Sequence, residues 1–403
     1  MKKLKEQNAI TLVALVITII ILLILAGISI SALTNQGLFE EAKKAKGKME
    51  NAQKEESEML ENYLAQMNSI TFSNVDKTNT NPEATMPKGA IIVEGDANKG
   101  IVIKDSNDNE WTWVEVPKTT VFTTATKADE YDKIENDLKQ YVKDYRLDAS
   151  TSQISTDWKD EWYEGCGIEN PQKYTEMYNK MLSSVYTNGG FWISRYEIGD
   201  ETSTKNNYTV RTNTSGIEGT PVSKKNMVPY NWITCSQAQT LASGMAADAN
   251  KTSSLLFGIQ WDLVCKYIES NSELKYEDIA VDSSGWGNLY FASFVIDKGR
   301  YMNSSSTEWI DASKNNFIKA EKTSTMISTG TCEKNKVLNI YDFTGNMSEW
   351  TLERYKDMDI TTGRGGTYFS WRDFGYASSR HNSAMYSGLE NSRVNFGCRS
   401  TMY

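Results

Sequence analysis

The chain has 403 residues, with 43 Lys and Arg against 52 Asp and Glu and a net charge of −9 at pH 7. That balance excludes nucleic-acid binding driven by phosphate neutralisation, and 11 Trp and 21 Tyr beside only six Pro describe an ordered protein rather than a flexible stalk. A single histidine, His381, excludes mechanisms built on several imidazoles, and five scattered cysteines without a C-x-x-C pair make neither a disulfide framework nor a zinc site.

Ala9 to Ile30 reads AITLVALVITIIILLILAGISI, without a charge. About 20 apolar residues span a hydrocarbon core of roughly 30 Å as a helix. Lys2, Lys3 and Lys5 precede it, so the positive-inside rule leaves the N-terminus in the cytoplasm and sends the remainder outside the cell membrane. The alternative is a cleaved secretory signal; the length of the run and the weak small-residue site at Ala26, Gly27 and Ser29 stand against it. Residues 1–35 are therefore expected to be a basic leader and single transmembrane helix.

Residues 36–70 read as a helical stalk, because Phe39 to Met67 is rich in Ala, Glu, Lys and Met and has no Pro. Met59, Leu60, Tyr63, Leu64 and Met67 share one face suited to docking on the globular part or on a sister helix, whereas Glu40 to Glu58 reads equally well as a solvated rod. The leader running into I-T-L-V-A-L-V-I-T-I-I resembles the N-terminal segment of type IV prepilins and pseudopilins. Ala9 stands where that family's peptidase expects Gly, and Ala14 where the family carries Glu. The resemblance implies a filament subunit, self-associating through its N-terminal helix, as a structural alternative.

Residues 71–88 are rich in Asn, Thr, Ser and Pro and read as a linker, with the globular region starting near Gly89. Within 89–188, runs at Ala90 to Val93, Ile101 to Ile103 and Trp111 to Val116 predict strands around the polar turn Asp105 to Asn109. Ile134, Leu138, Tyr141, Val142 and Tyr145 recur at helical spacing and predict an amphipathic helix between Ala128 and Leu147, with Asp, Glu and Lys on its exposed side.

From 189 to 403 the spaced motifs are G-G-F-W-I-S-R-Y-E (Gly189 to Glu197), P-Y-N-W-I-T (Pro229 to Thr234) and G-W-G-N (Gly285 to Asn288). They continue with N-I-Y-D-F-T-G-N-M-S-E-W (Asn339 to Trp350), R-G-G-T-Y (Arg364 to Tyr368) and N-F-G-C-R (Asn395 to Arg399). Thr234 and Gln237 predict a capping box for a helix from Cys235 to Ser243 that stops at Gly244. Trp261, Val264, Cys265 and Ile268 predict a second helix with one buried face, and Trp261, Trp286 and Trp350 are expected in the core.

This ordered series resembles the formylglycine-generating enzyme, or sulfatase-modifying factor, family. The resemblance implies an α+β fold of the C-type lectin-like kind over 189–403. The family's oxidase holds copper between two thiolates shortly after R-G-G; here Ser370 and Gly375 fall on those positions, and neither replaces a thiolate. A second branch uses a three-histidine iron site, which one histidine cannot build. There is no G-x-S-x-G and no recognisable carboxylate pair. The chain is therefore expected not to be an enzyme and to need no cofactor or metal, with a modifying enzyme as the remaining alternative. The loops carry no close cluster of carboxylate and amide oxygens for calcium-mediated carbohydrate binding.

What remains is a binding surface for a protein or glycan. Segment 364–403 holds five Arg and no Lys among aromatic, Ser, Gly and Asn residues, the composition of a recognition surface. Tyr368, Phe369, Trp371, Asp373, Phe374, Tyr376, His381, Asn382, Met385, Tyr386 and Asn391 are the candidate ligand contacts. The alternative is that these aromatic rings fill the core. Arg364, Gly365, Gly366, Phe396, Gly397 and Arg399 read as scaffold. The placement also resembles the targets of diversity-generating retroelements, which carry a variable segment between R-G-G and G-x-R. That resemblance implies adenine-directed diversification of residues 367 to 395, and a surface-displayed adhesin or receptor.

Overall fold

The computed structural model describes residues 17–21, 44, 46–49, 51–52, 72, 74–147, 151–202, 217, 219–246, 248, 250–303, 306, 308–314, 316–356, 360–370, 375–382 and 394–403. The chain divides into two compact units, Met1–Ser69 and Ile70–Tyr403. In the first, residues 17–21, 44, 46–49 and 51–52 are helical. Most of the Ala9 to Ile30 anchor, and the face of the stalk from Met59 to Met67, lie outside the described residues. No helix among the described residues is long and apolar enough to cross a membrane.

The second unit is organised around an antiparallel six-stranded sheet. Its strands run in the order Ile91–Glu94, Val102–Lys104, Glu110–Glu115, Gly190–Ser194, Ser400–Met402 and Ser253–Leu255. Both faces of the central strands are covered, so Trp111, Thr112, Trp113 and Val114 are buried in succession. Trp113 lies opposite Trp192 in the register, and the rings meet edge to face at 5.0 Å. Because Glu110–Glu115 pairs along its length with Gly190–Ser194, the expected boundary at residue 188 falls inside one sheet, and 89–188 and 189–403 form a single unit.

The expected linker is corrected for the same reason. Thr80 Oγ1 accepts from the Trp113 indole at 2.8 Å and Thr85 Oγ1 from the Trp192 indole at 2.9 Å. The Asn81 amide donates to the Asn188 carbonyl at 2.7 Å. Residues 76–86 are thus a strap that satisfies buried indole N–H groups, not a spacer.

The helix expected between 128 and 147 runs from Tyr131 to Tyr141 and is followed by a 3-10 turn, Lys143–Tyr145; Ile134, Leu138, Val142 and Tyr145 are buried. One acid on it, Asp137, is buried rather than exposed and accepts from the Thr124 and Ala125 amides. Between this helix and the sheet lies an 18-residue helix, Pro171–Asn188, capped by Asn170 and stopped by the left-handed Gly189 (φ 68°). The Cys235–Ser243 helix has the expected Thr234–Gln237 capping box, although Gly244 closes it in the right-handed region. The next helix runs from Gly258 to Asn271 and is buried on nearly every side.

A second sheet carries the C-terminal motifs. Its main strand, Ser348–Tyr355, pairs with Thr361–Arg364 on one edge and with Phe396–Gly397 and Trp158–Lys159 on the other; Arg380–Asn382 extends it beyond Thr361–Arg364. Trp261, Trp286 and Trp350 are all buried.

Candidate ligand-binding site

The terminal segment leaves the second sheet at Arg364, rejoins it at Arg380–Asn382 and Phe396–Gly397, and passes through Arg399 into the six-stranded sheet. The Arg364 and Arg399 guanidinium groups are fully buried, and each is met by carboxylates from elements distant in sequence. Arg364 Nη2 donates to Asp262 Oδ1 at 2.6 Å, Nη1 to Glu353 Oε2 at 3.1 Å and Nε to the Ser379 carbonyl at 3.0 Å. Arg380 reaches the same two acids, Asp262 Oδ2 at 2.6 Å and Glu353 Oε2 at 3.0 Å. Arg146 completes the cluster, 2.6 Å from Asp262 Oδ2. Burial pushes the Asp262 carboxyl up, but Arg380, Arg364 and Arg146 outweigh it and hold it below the ordinary range.

At the other end, Arg399 donates to both oxygens of Glu349 at 3.0–3.2 Å and to the Ser194 and Tyr341 carbonyls at 2.8 and 2.7 Å. The guanidinium fork suits this site because a planar, permanently charged group can meet four acceptors at once. Arg364, Arg380 and Arg399 therefore tie the terminal segment to the core at three points. The exit turn needs glycine: Gly365 and Gly366 have φ of 85° and 73°, and a Cβ on Gly365 would stand 2.9 Å from the Phe343 carbonyl oxygen.

The candidate contacts separate on this frame. Tyr368 is corrected: it is 4 % exposed and packs with Met302, Met326 and Met347, with Trp309 against the same cluster. Its ring belongs to a methionine-rich core cluster. Phe369, 39 % exposed, stands edge-on to it at 5.2 Å. Tyr376 is half-buried. His381 and Asn382 lie on the edge strand, paired with Gly363 and Thr362. Trp371, Asp373, Phe374, Met385, Tyr386 and Asn391 lie outside the described residues.

Ser370 is buried, and its Oγ accepts from the Thr367 amide at 2.9 Å. Cys398 is fully buried and its thiol is pushed well up by that burial, as expected of a core cysteine rather than a reactive one. Among the described residues no group of three or more His, Cys, Asp or Glu is placed to hold a metal ion.

A second acid cluster lies under the G-N-M-S-E-W motif. Glu197 accepts from Asn346 Nδ2 at 2.6 Å and from the Met347 amide at 3.0 Å, while Asp342 accepts from the Gly330 amide at 2.9 Å. Three buried carboxylates here share one guanidinium, Arg399. Burial accordingly raises Glu197 well above the carboxylate range and Asp342 to about 6; it raises Glu349 to about 7 against the pull of Arg399. Arg146, Asp262 and Glu353 were not anticipated from sequence as part of the frame. The available signal is Asp262 itself, a lone acid inside the run Trp261 to Cys265 that a buried helix face cannot accommodate without a cation.

No family model matches the chain, and no curated protein matches it. Among solved structures it is similar to Treponema denticola variable protein 1, at a TM-score of 0.29 and 13 % identity over 53 % of this chain and 84 % of that one. A likeness that loose carries no argument about fold or function.

Proposed function

We propose that this chain is a cell-surface-displayed ligand-binding protein, held in the membrane by its N-terminal helix with the N-terminus in the cytoplasm. Its recognition surface is the C-terminal segment of a C-type lectin-like domain, and it acts by binding rather than by catalysis. The observation that carries this reading is the bracketing of residues 365–398 by Arg364 and Arg399, with Arg380 between them, each tied to an acid outside the segment. A loop whose ends are fixed this firmly tolerates exchange of its exposed residues without loss of the fold. The mixture of Tyr, Trp, Phe, Asn, Ser and Gly between 367 and 395 supplies rigid rings and adaptable polar groups at low entropy cost. Ser370 and Gly375, where the copper-binding relatives need thiolates, support the non-catalytic reading.

The test is a library of the full chain randomised at Phe369, Trp371, Asp373, Phe374, Tyr376, Met385, Tyr386 and Asn391 and displayed on cells. We expect most members to melt within about 3 °C of the parent, equivalent to roughly 1 kcal/mol in a domain of this size, and different members to enrich on different protein baits. General unfolding of the library would contradict the proposal.

A further inference from the structure

A cavity of about 410 Å³ opens between the Tyr131–Tyr141 helix, the Pro171–Asn188 helix and the strand Trp158–Lys159, a size usual for small-molecule sites. Tyr131, Trp158 and Tyr178 give it aromatic walls, and Ile154 and Leu182 give it aliphatic ones. Trp158 is held in place by Tyr355, with ring centroids 4.7 Å apart, and by the Arg380 guanidinium, 5.5 Å from its ring.

Four acids line the same cavity, Asp132, Glu135, Asp160 and Glu161, against two lysines, Lys139 and Lys159. Lys139 pairs with Glu135 at 2.9 Å, and Arg354 pairs with Glu161. Asp160, 9 % exposed, accepts from the Gly258 and Ile259 amides at 2.5 and 3.0 Å but forms no ion pair among the described residues, and neither does the exposed Asp132. The Asp160 carboxyl is pushed up to about 7 by burial, with Glu353 and Glu135 adding to the rise against the pull of Arg146. Asp132 and Glu135 are three residues apart on one helix and so share a face, and Tyr178 donates to Glu135 Oε1 at 2.9 Å. A buried carboxylate short of positive charge is a costly state that a cation relieves.

We propose that this cavity binds a protonated primary amine carried on a short aliphatic chain, with the ammonium between Asp160 and Glu135 and the chain against Trp158 and Leu182. The site lies wholly outside the terminal segment and does not depend on the recognition surface proposed above. An ammonium brings three donors, which Asp160, Glu135 and Asp132 can accept, and aromatic rings beside it add cation–π attraction. The walls select the kind of cation. A hard metal ion takes six or more oxygens and gains nothing from indole, phenol and leucine surface, whereas an alkylamine buries its chain there. An anion is repelled by the same acids. Two sources offer this chemistry: a free diamine and the lysine side chain of a polypeptide.

The experiment is calorimetric titration of the full chain, in detergent, with cadaverine, with Nα-acetyl-lysine amide and with hexanoate, which has a similar length and the opposite charge. Saturable binding of cadaverine and none of hexanoate is the expected result. Asp132→Asn combined with Glu135→Gln keeps the acceptor for Tyr178 and should weaken cadaverine about tenfold, the effect of losing a charge-assisted hydrogen bond; Asp160→Asn should weaken it at least as much. Should Asp160→Asn melt well below native, the Asp132 and Glu135 double variant decides alone. Phe369→Ala should bind within about twofold of native; a loss there places the amine on the terminal segment and overturns the inference. Nα-acetyl-lysine amide binding as tightly as cadaverine assigns the site to a polypeptide lysine, and cadaverine binding alone assigns it to a free amine. No saturable binding of either amine, hexanoate bound as well as cadaverine, or binding indifferent to the acid substitutions overturns the inference and leaves the proposed function standing.

Discussion

Glu349 sits in the core, where Arg399 is the one cation among the described residues that pairs with it, and the value of that guanidinium follows from what is left when it goes. Arg399→Met leaves a buried carboxylate among Glu197 and Asp342 with nothing to balance it. Breaking one side of a buried pair costs about 3–5 kcal/mol, and urea denaturation should show a loss of that size. The same cluster sets a pH dependence. Burial raises Asp342 to about 6 from an unfolded value near 3.8 and raises Glu197 further, so the folded state keeps protons that the unfolded state releases. For Asp342 the stabilisation is complete below about pH 4 and is lost as pH rises through about 6, at up to ~1.4 kcal/mol per pH unit. A urea midpoint that falls between pH 4 and 6 in the native chain, and falls less in Asp342→Asn, is the expected result.

Among the elements, those whose signal is local matched the structure and those whose signal is tertiary did not. The Cys235–Ser243 helix was legible because Thr234 and Gln237 write its capping box into four consecutive residues. The strands at 91–94, 102–104 and 110–115 were legible from apolar runs broken by a polar turn. The strap at 76–86 was not: Asn, Thr and Pro read as linker, and only the two indoles of the six-stranded sheet turn Thr80 and Thr85 into structural acceptors. Thr85→Val should therefore cost about 1–3 kcal/mol, by leaving the Trp192 N–H buried and unpaired, although composition alone marks it as a loop substitution. Gly345 belongs to the same class. It has φ 75°, and a Cβ there would lie 2.2 Å from the Asn288 carbonyl oxygen, so Gly345→Ala should destabilise by at least about 2 kcal/mol in thermal denaturation.

At the scale of the molecule, the terminal frame was half legible. Arg364, Gly365, Gly366, Gly397 and Arg399 could be read as scaffold from their motifs, but the acids that hold the two arginines, Asp262, Glu349 and Glu353, come from other elements and meet them only in the folded chain. Tyr368 could not be told from its neighbour Phe369 in sequence, since alternation in an irregular loop does not say which ring turns inward. The methionines at 302, 326 and 347 settle that point.

The proposed function requires this frame to stay constant while the surface between its arginines changes. The most direct measurement is deep sequencing of the gene across a population of sister cells, comparing codons 367–395 with the rest. We predict substitutions confined to that window, Phe369 among them, with Arg364, Arg399, Asp262 and Glu353 unchanged. Substitutions spread evenly along the gene, or a window as uniform as its surroundings, would contradict a diversified recognition surface.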